Sequence, residues 1–271
     1  KFYGPIRLRE ALVQSVNLVS IKLLREMGIS LTQNYLSRFG FSSSRLAPDL
    51  SLALGSSSFS PAEMVRAYSI MANSEDPRDL FFIERIEDRN GKTIFQNPKV
   101  GNKQKNFDAF PWFQTQLSEE IKPFYLLPPI SKKPLETIDP RVTFIVKDIL
   151  REALSRGSNK RKTEVLNRND IAGKTGTTND AISTWFSGFH KDLVSTVWVG
   201  TDDFSSLGDN EFGASIALPI WVDFMKIALN SIPQQDWKAP KGLSYVRVDL
   251  ETGKPIKESN NDSYFELFLQ S

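Results

Sequence analysis

The sequence predicts an α+β domain: an antiparallel sheet flanked by helices, with an all-helical subdomain. Three observations lead there. Apolar residues recur at helical spacing from Leu8 to Asn73 and again from Asp139 to Gly157. Between Asp170 and Thr201, short apolar runs alternate with polar turns, as in a β-meander. An amphipathic stretch, Ala217 to Leu229, follows and is suited to covering that sheet. With 271 residues, 40% of them hydrophobic, the chain can bury a full core.

The first helical pattern uses Leu8, Ala11 and Leu12, then Val19, Leu23, Leu24 and Met27, and closes at Gly28. Ser15-Val16-Asn17 interrupts it, which reads as a helix junction or cap, or as polar groups turned toward a cleft. Ser30 with Gln33 predicts a capping box for a second helix ending near Gly40. Ser60-Pro61-Ala62-Glu63 predicts another, with proline in the first turn, for a helix reaching about Asn73. Leu52 to Ser58 reads as a tight loop.

Asp88-Arg89-Asn90-Gly91 between apolar runs predicts a hairpin. Residues 97–138 show prolines and lysines without a period, and read as an irregular insertion. The strands are expected at Asp170 to Thr177, Thr184 to Phe189 and Leu193 to Thr201. A last hairpin is expected around Glu251-Thr252-Gly253-Lys254, with a loosely attached tail from about Ser259. Residues 1–230 thus form the main domain, and 231–271 an extension.

Composition narrows the chemistry. Lys and Arg number 34 against 32 acids, a net +2, which implies no nucleic-acid partner. The basic clusters Lys99 to Lys105 and Lys160 to Lys162 read as solvated loops. No cysteine is present, so thiol nucleophiles, disulfides and thiolate zinc sites are excluded. The single histidine, His190, lies between two strand runs and reads as part of a hairpin turn. A Ser-His-Asp triad has no support, and any nucleophilic serine must pass its proton to a lysine, carboxylate or tyrosine. No stretch approaches the ~20 apolar residues of a spanning helix. Lys1-Phe2-Tyr3-Gly4-Pro5 runs straight into a helical pattern with no initiator methionine, and reads as the start of a piece of a longer polypeptide.

The most informative stretch is Ile171-Ala172-Gly173-Lys174-Thr175-Gly176-Thr177-Thr178. On a strand, Thr175 and Thr177 share one face while Lys174 points to the other, and Gly176 lets another backbone approach. A cation, hydroxyls and an open edge suit the anionic end of an extended peptide. The same residues also describe an ordinary strand edge followed by a turn.

Taken in order, Ser15-Val16-Asn17 and Lys174-Thr175-Gly176-Thr177-Thr178 resemble the Ser-x-Asn and Lys-Thr-Gly elements of penicillin-recognising serine acyltransferases. Pro5 to Leu12, Leu52 to Ser56, Asp180 to Phe189 and Val197 to Gly200 narrow the likeness to the transpeptidase domain of a bifunctional, class A penicillin-binding protein. It covers most of residues 1–96 and 139–230, and implies a β-lactamase/transpeptidase-like fold. One element departs: no serine here has a lysine three positions on, so the family's Ser-x-x-Lys nucleophile is expected to lie outside this chain, which as given is expected to be inactive.

The resemblance implies a D,D-transpeptidase that cross-links peptidoglycan stem peptides through an acyl-serine and is the target of β-lactams. Ser15 would relay a proton with Lys174, Asn17 would bind the substrate amide, and Thr175, Gly176, Thr177 and Thr178 would form the substrate-binding strand. No cofactor or metal is implied. An upstream glycosyltransferase domain and a membrane anchor are, which places the domain on the outer face of the cytoplasmic membrane. A D,D-carboxypeptidase or β-lactamase-like hydrolase, and a non-catalytic module binding wall peptide or a partner, are the alternatives.

Overall fold

The computed structural model describes residues 4–73, 80, 83–96, 138–157, 159–178, 181–209, 211–257 and 263–270. The chain forms two units, Lys1–Arg78 with Lys133–Ser271, and Asp79–Lys132. In the first unit the predicted interruption of the opening helix is a junction: α1 (Leu8–Val13) ends, Ser15 turns with φ 53°, and α2 (Asn17–Met27) begins. Gly28, at φ 88°, closes α2 and directly opens α3 (Ile29–Leu36).

That early start overturns the expected Ser30 box. Ser30 falls inside the first turn of α3, and the Gln33 amide instead donates to the Leu46 and Ala47 carbonyls at 3.2 and 3.1 Å. The Ser60 box forms as expected, with reciprocal bonds between Ser60 and Glu63 at the start of α4 (Pro61–Ala72). The expected loop before it begins as a 3-10 turn, Leu50–Leu54, started by Asp49 and stopped by left-handed Gly55, and it packs on α2.

The sheet is the predicted meander: β3 (Ile171–Thr177), β4 (Ser183–His190) and β5 (Leu193–Gly200), antiparallel in that order. In the second unit, β1 (Arg85–Glu87) and β2 (Thr93–Gln96) pair antiparallel as a hairpin. In it, Asp88 accepts from the Asn90 and Lys92 N–H groups and only Gly91 takes positive φ, 79°. The turn therefore has a residue more than the two-residue type I′ form that Asn-Gly favours, with the glycine in the bulge position. The insertion expected at about 97–138 lies outside the described residues through 137, as does the Lys99 to Lys105 cluster.

Helix α5 (Pro140–Ser155) packs on one side of β3, α6 (Lys160–Thr163) forms one turn after it with its three basic residues exposed and Thr163 buried, and α7 (Ala217–Ala228) packs on β4 and β5. The Lys160 to Lys162 cluster is thus helical rather than a loop, and Lys162 donates to the Ala214 carbonyl. Trp221 and Phe186, both fully buried, meet with ring centroids 4.8 Å apart at the centre of the α7–sheet core. Leu150, Ala172 and Phe189 form a second core under α5. A Cβ on Gly173 would lie 2.7 Å from the Phe186 ring, so the glycine is what lets that ring approach β3.

The expected loose tail is instead a strand. β7 (Ser263–Leu269) pairs antiparallel with β6 (Leu243–Asp249) along its whole length, and Leu267 is buried. The Glu251–Gly253 turn forms, closed by the Asp249 N–H donating to the Lys254 carbonyl and the Gly253 N–H donating to the Asp249 carbonyl, but the main partner of β6 is the later strand. The cause is a buried charge. Arg9 on α1, 2% exposed, donates to Asp148 and Glu152 on α5, both at 2.8 Å, and to Glu266 on β7 at 2.6 Å. Tyr264 lies under the same guanidinium, 5.5 Å from its ring centre. Arg156 adds bonds to Glu10 and Glu152, and Arg7 bonds the Leu250 carbonyl. Burial works against the Arg9 charge, but the hydrogen bond to Glu152 and the neighbouring negative charges hold its pKa above the ordinary arginine value.

A second buried cluster starts β3. Asp170 accepts both arms of Arg168, at 2.8 and 2.7 Å, and the Gln235 N–H at 2.9 Å. The hairpin turn expected at His190 forms one residue later, at Lys191-Asp192, and His190 is the fully buried end of β4, with Nε2 3.3 Å from Asp170 and Nδ1 accepting the Asp192 N–H. Nδ1 is therefore the acceptor and Nε2 carries the proton. Burial is the main force keeping His190 below its ordinary pKa, with the Asp170 charge opposing it. The folded protein holds the imidazole neutral, so its contribution to stability is complete above about 6.5 and is lost as pH falls through the lower folded value. We expect the melting temperature to fall between pH 7 and pH 5, with a shallower fall in His190→Gln; equal slopes in calorimetric scans would remove His190 as the cause.

Candidate active site

Ile171 and Ala172, buried on opposite faces of β3, fix the orientation of the four residues that follow. Thr175 pairs with Phe186 and Thr177 with Thr184, on the face toward α7; Lys174 pairs with Ser187 and Gly176 with Trp185, on the other. A Cβ on Gly176 would sit 3.2 Å from that of Trp185, so the missing side chain admits the tryptophan close over the strand.

Peptide groups alternate too. The Thr178 N–H donates to the Ser183 carbonyl at 3.1 Å. In an antiparallel ladder this makes Gly176 and Lys174 the residues bonded to β4, and turns the N–H and C=O groups of Thr175 and Thr177 to the opposite edge. Among the described residues no strand pairs there. Lys174 Nζ donates to the Thr175 carbonyl at 3.2 Å, which places the ammonium on that same open edge. It has no carboxylate partner among the described residues, and burial pushes its pKa below the ordinary lysine value.

Thr177 Oγ1 accepts the Gly213 N–H at 3.0 Å. Thr178, expected among the substrate-binding residues, has its hydroxyl in the turn, accepting from the Ser183 N–H and bonded to the Ser183 carbonyl.

Ser15 and Asn17 flank the α1–α2 turn, both exposed. The turn is held by backbone bonds, Ser15 N–H to Leu12 and Val16 N–H to Ala11, and Val16 is the N-cap. Among the described residues neither the Ser15 hydroxyl nor the Asn17 amide has a hydrogen-bond partner, so neither side chain is used as a cap. Among the described residues no hydrogen bond joins this turn to β3, and α5 packs on both α1 and β3. Arg9, Asp170 and Gly213 were missed in sequence. Arg9 had a signal, a charge set among Ala11, Leu12 and Val13 on a short apolar helix; Gly213 had only the small residues Gly213-Ala214-Ser215 ahead of a helix.

Residues 1–225 match the Penicillin binding protein transpeptidase domain. The chain belongs to that family. Among curated relatives, it is 36% identical over 284 residues to penicillin-binding protein 1A of Pseudomonas aeruginosa, covering 98% of this chain and 34% of the relative. The protein of the same name from Vibrio cholerae is 32% identical, with 98% and 34% coverage. The chain thus spans about a third of the length of these relatives.

In structure, the transpeptidase domain matches penicillin-binding protein 1A of Haemophilus influenzae with a TM-score of 0.80 at 31% identity, over 99% of this chain and 40% of that one. Penicillin-binding protein PonA1 of Mycobacterium tuberculosis shares the fold, with a TM-score of 0.63 at 19% identity, covering 87% of this chain and 58% of that one. The α+β class and the transpeptidase-like fold both hold. No helix among the described residues is long and apolar enough to cross a membrane.

Proposed function

We propose that this chain is the D,D-transpeptidase domain of a class A penicillin-binding protein and that its β3 edge holds the D-Ala-D-Ala end of a peptidoglycan stem peptide. The observation that carries this reading is the open edge itself: the Thr175 and Thr177 peptide groups face outward beside an ammonium with no carboxylate partner among the described residues. An extended peptide can add to such an edge as a strand. Its terminal carboxylate then meets the Thr175 and Thr177 hydroxyls, while Gly176 keeps that stretch of strand slim.

In this reading a serine of a Ser-x-x-Lys element attacks the penultimate carbonyl, forming an acyl-serine and releasing D-Ala. The Thr177 N–H, which faces the open edge, is one donor to the oxyanion. Asn17 binds the substrate amide, and Ser15 with Lys174 returns a proton to the leaving nitrogen. An amine of a neighbouring stem then takes the acyl group, forming the cross-link. β-Lactams acylate the same serine. The Ser-x-x-Lys element, a glycosyltransferase domain and a membrane anchor belong to a longer polypeptide on the outer face of the cytoplasmic membrane.

No serine of these 271 residues has a lysine at the third following position, so incubation with penicillin is expected to leave the intact mass unchanged. A longer polypeptide carrying Ser-x-x-Lys gains one penicilloyl mass. A stoichiometric adduct on the 271-residue chain would overturn the assignment of the nucleophile. With an acceptor amine, the longer form yields cross-linked dimer rather than free acid; free acid alone would make it a hydrolase.

A further inference from the structure

The turn ahead of α7 is built around Gly213. The Phe212 carbonyl accepts from the Ser215 and Ile216 N–H groups at 2.8 and 3.0 Å, and Ser215 Oγ accepts the Phe212 N–H at 2.7 Å. The Gly213 carbonyl accepts the Leu218 N–H at 2.8 Å, tying the turn to the first turn of α7. Its N–H points the other way, to Thr177 Oγ1 at 3.0 Å. Gly213 is buried, and a Cβ there would lie 2.6 Å from the Trp185 carbonyl oxygen, 2.7 Å from that of Gly176 and 3.3 Å from Thr175 Cβ. No other residue fits without moving the turn off the strand.

A threonine hydroxyl has one proton to give and lone pairs to receive. With the Gly213 N–H fixed on one lone pair from the inner side of the sheet, the Thr177 hydroxyl has one acceptor position fewer, and its proton is free to point toward the exposed edge. A carboxylate only accepts, so both of its oxygens suit hydroxyl donors at Thr175 and Thr177. A carboxamide matches one of them and turns an NH₂ toward the other.

We infer that Gly213 is a positioning residue that biases the Thr177 hydroxyl toward donating outward, and that it thereby strengthens a preference for carboxylate-terminated peptides over their amides. This rests on the reading of β3 as the substrate edge. It concerns a residue that never touches the substrate.

The test uses the longer polypeptide carrying Ser-x-x-Lys, and two thioester donors identical except for a terminal carboxylate or carboxamide. Wild type is expected to prefer the carboxylate by about tenfold to a hundredfold in kcat/KM, the range for hydrogen bonds to a charged group. Gly213→Ala is expected to lower kcat/KM for the carboxylate donor about tenfold, mostly through KM, and to leave the amide within about twofold. Should Gly213→Ala fail to fold, Ser215→Ala loosens the same turn without adding volume, and is expected to lose about threefold on the carboxylate donor alone. Unchanged selectivity, or equal loss on both donors, overturns the role of Gly213. If Thr177→Val and Lys174→Ala both turn over the carboxylate donor at the wild-type rate, it is the placement of substrate on β3 that fails instead.

Discussion

Lys174→Ala, in a polypeptide carrying Ser-x-x-Lys, is expected to slow acylation by penicillin by roughly 10²–10³, the loss typical of one electrostatic donor at a developing charge. The size follows from where the ammonium lies. Its contact among the described residues is the Thr175 carbonyl on the open edge of β3, with no carboxylate to neutralise it, so the charge remains available to a ligand. Burial makes that charge dearer to hold and depresses the pKa. The working form is the cation, so activity is retained at lower pH and lost as pH rises through the depressed value, below the ~10.4 of an exposed lysine. Lys174→Arg keeps its charge throughout this range and is expected to lose the alkaline limb even where its planar group fits the edge poorly. Labelling rates with a fluorescent penicillin across pH 6 to 11 read both effects. A Lys174→Ala variant labelled at the wild-type rate removes this residue from the site.

Arg9→Met is expected to cost the fold about 3–5 kcal/mol, the penalty for removing one member of a buried ionic cluster. Asp148, Glu152 and Glu266, each 12–16% exposed at the side chain, would lose the one cation they share and keep only their separate partners Arg151, Arg156 and Arg7. Adding Glu152→Gln should recover part of the loss, because it removes one of the stranded charges; additive losses in urea unfolding would show that the residues act independently. The acid limb supplies a second reading. Burial alone would raise the Glu152 pKa, but the bonds from Arg9 and Arg156 outweigh it and hold it low. Its contribution is therefore full above about 4.3 and lost as pH falls through the lower folded value. That acid loss should shrink in Arg9→Met.

Local signals read from sequence survived wherever no distant partner competed for the same atoms. Ser60, Pro61 and Glu63 settle their helix start among themselves, and the meander needs only its own alternation and turns. Ser30 and Gln33 carry an equally good pattern, yet Gly28 starts the helix early and the Leu46–Ala47 carbonyls claim the Gln33 amide. The tail misled for a similar reason. Polar residues before Ser263 suggest a frayed end, but Glu266 is held by Arg9 more than 250 residues away in sequence, a pairing no local window contains.

For the site, Lys174, Thr175 and Thr177 were legible because their positions on a strand follow from parity alone. Gly213 was not, since its significance lies in an N–H aimed across the fold at one hydroxyl.

The opposed anchoring of Ile171 and Ala172 also limits how β3 can change over evolutionary time. One residue inserted between Ala172 and Lys174 would exchange the faces of Lys174, Thr175, Gly176 and Thr177 together, sending a cation toward the tryptophan of α7 and two hydroxyls toward α5. Two inserted residues would restore the faces but carry the whole set about 7 Å along the strand, past the Gly213 turn. Point substitutions can erode this edge gradually, whereas a change in its length is all or nothing, so gaps between homologous genes should gather in the loops on either side of it.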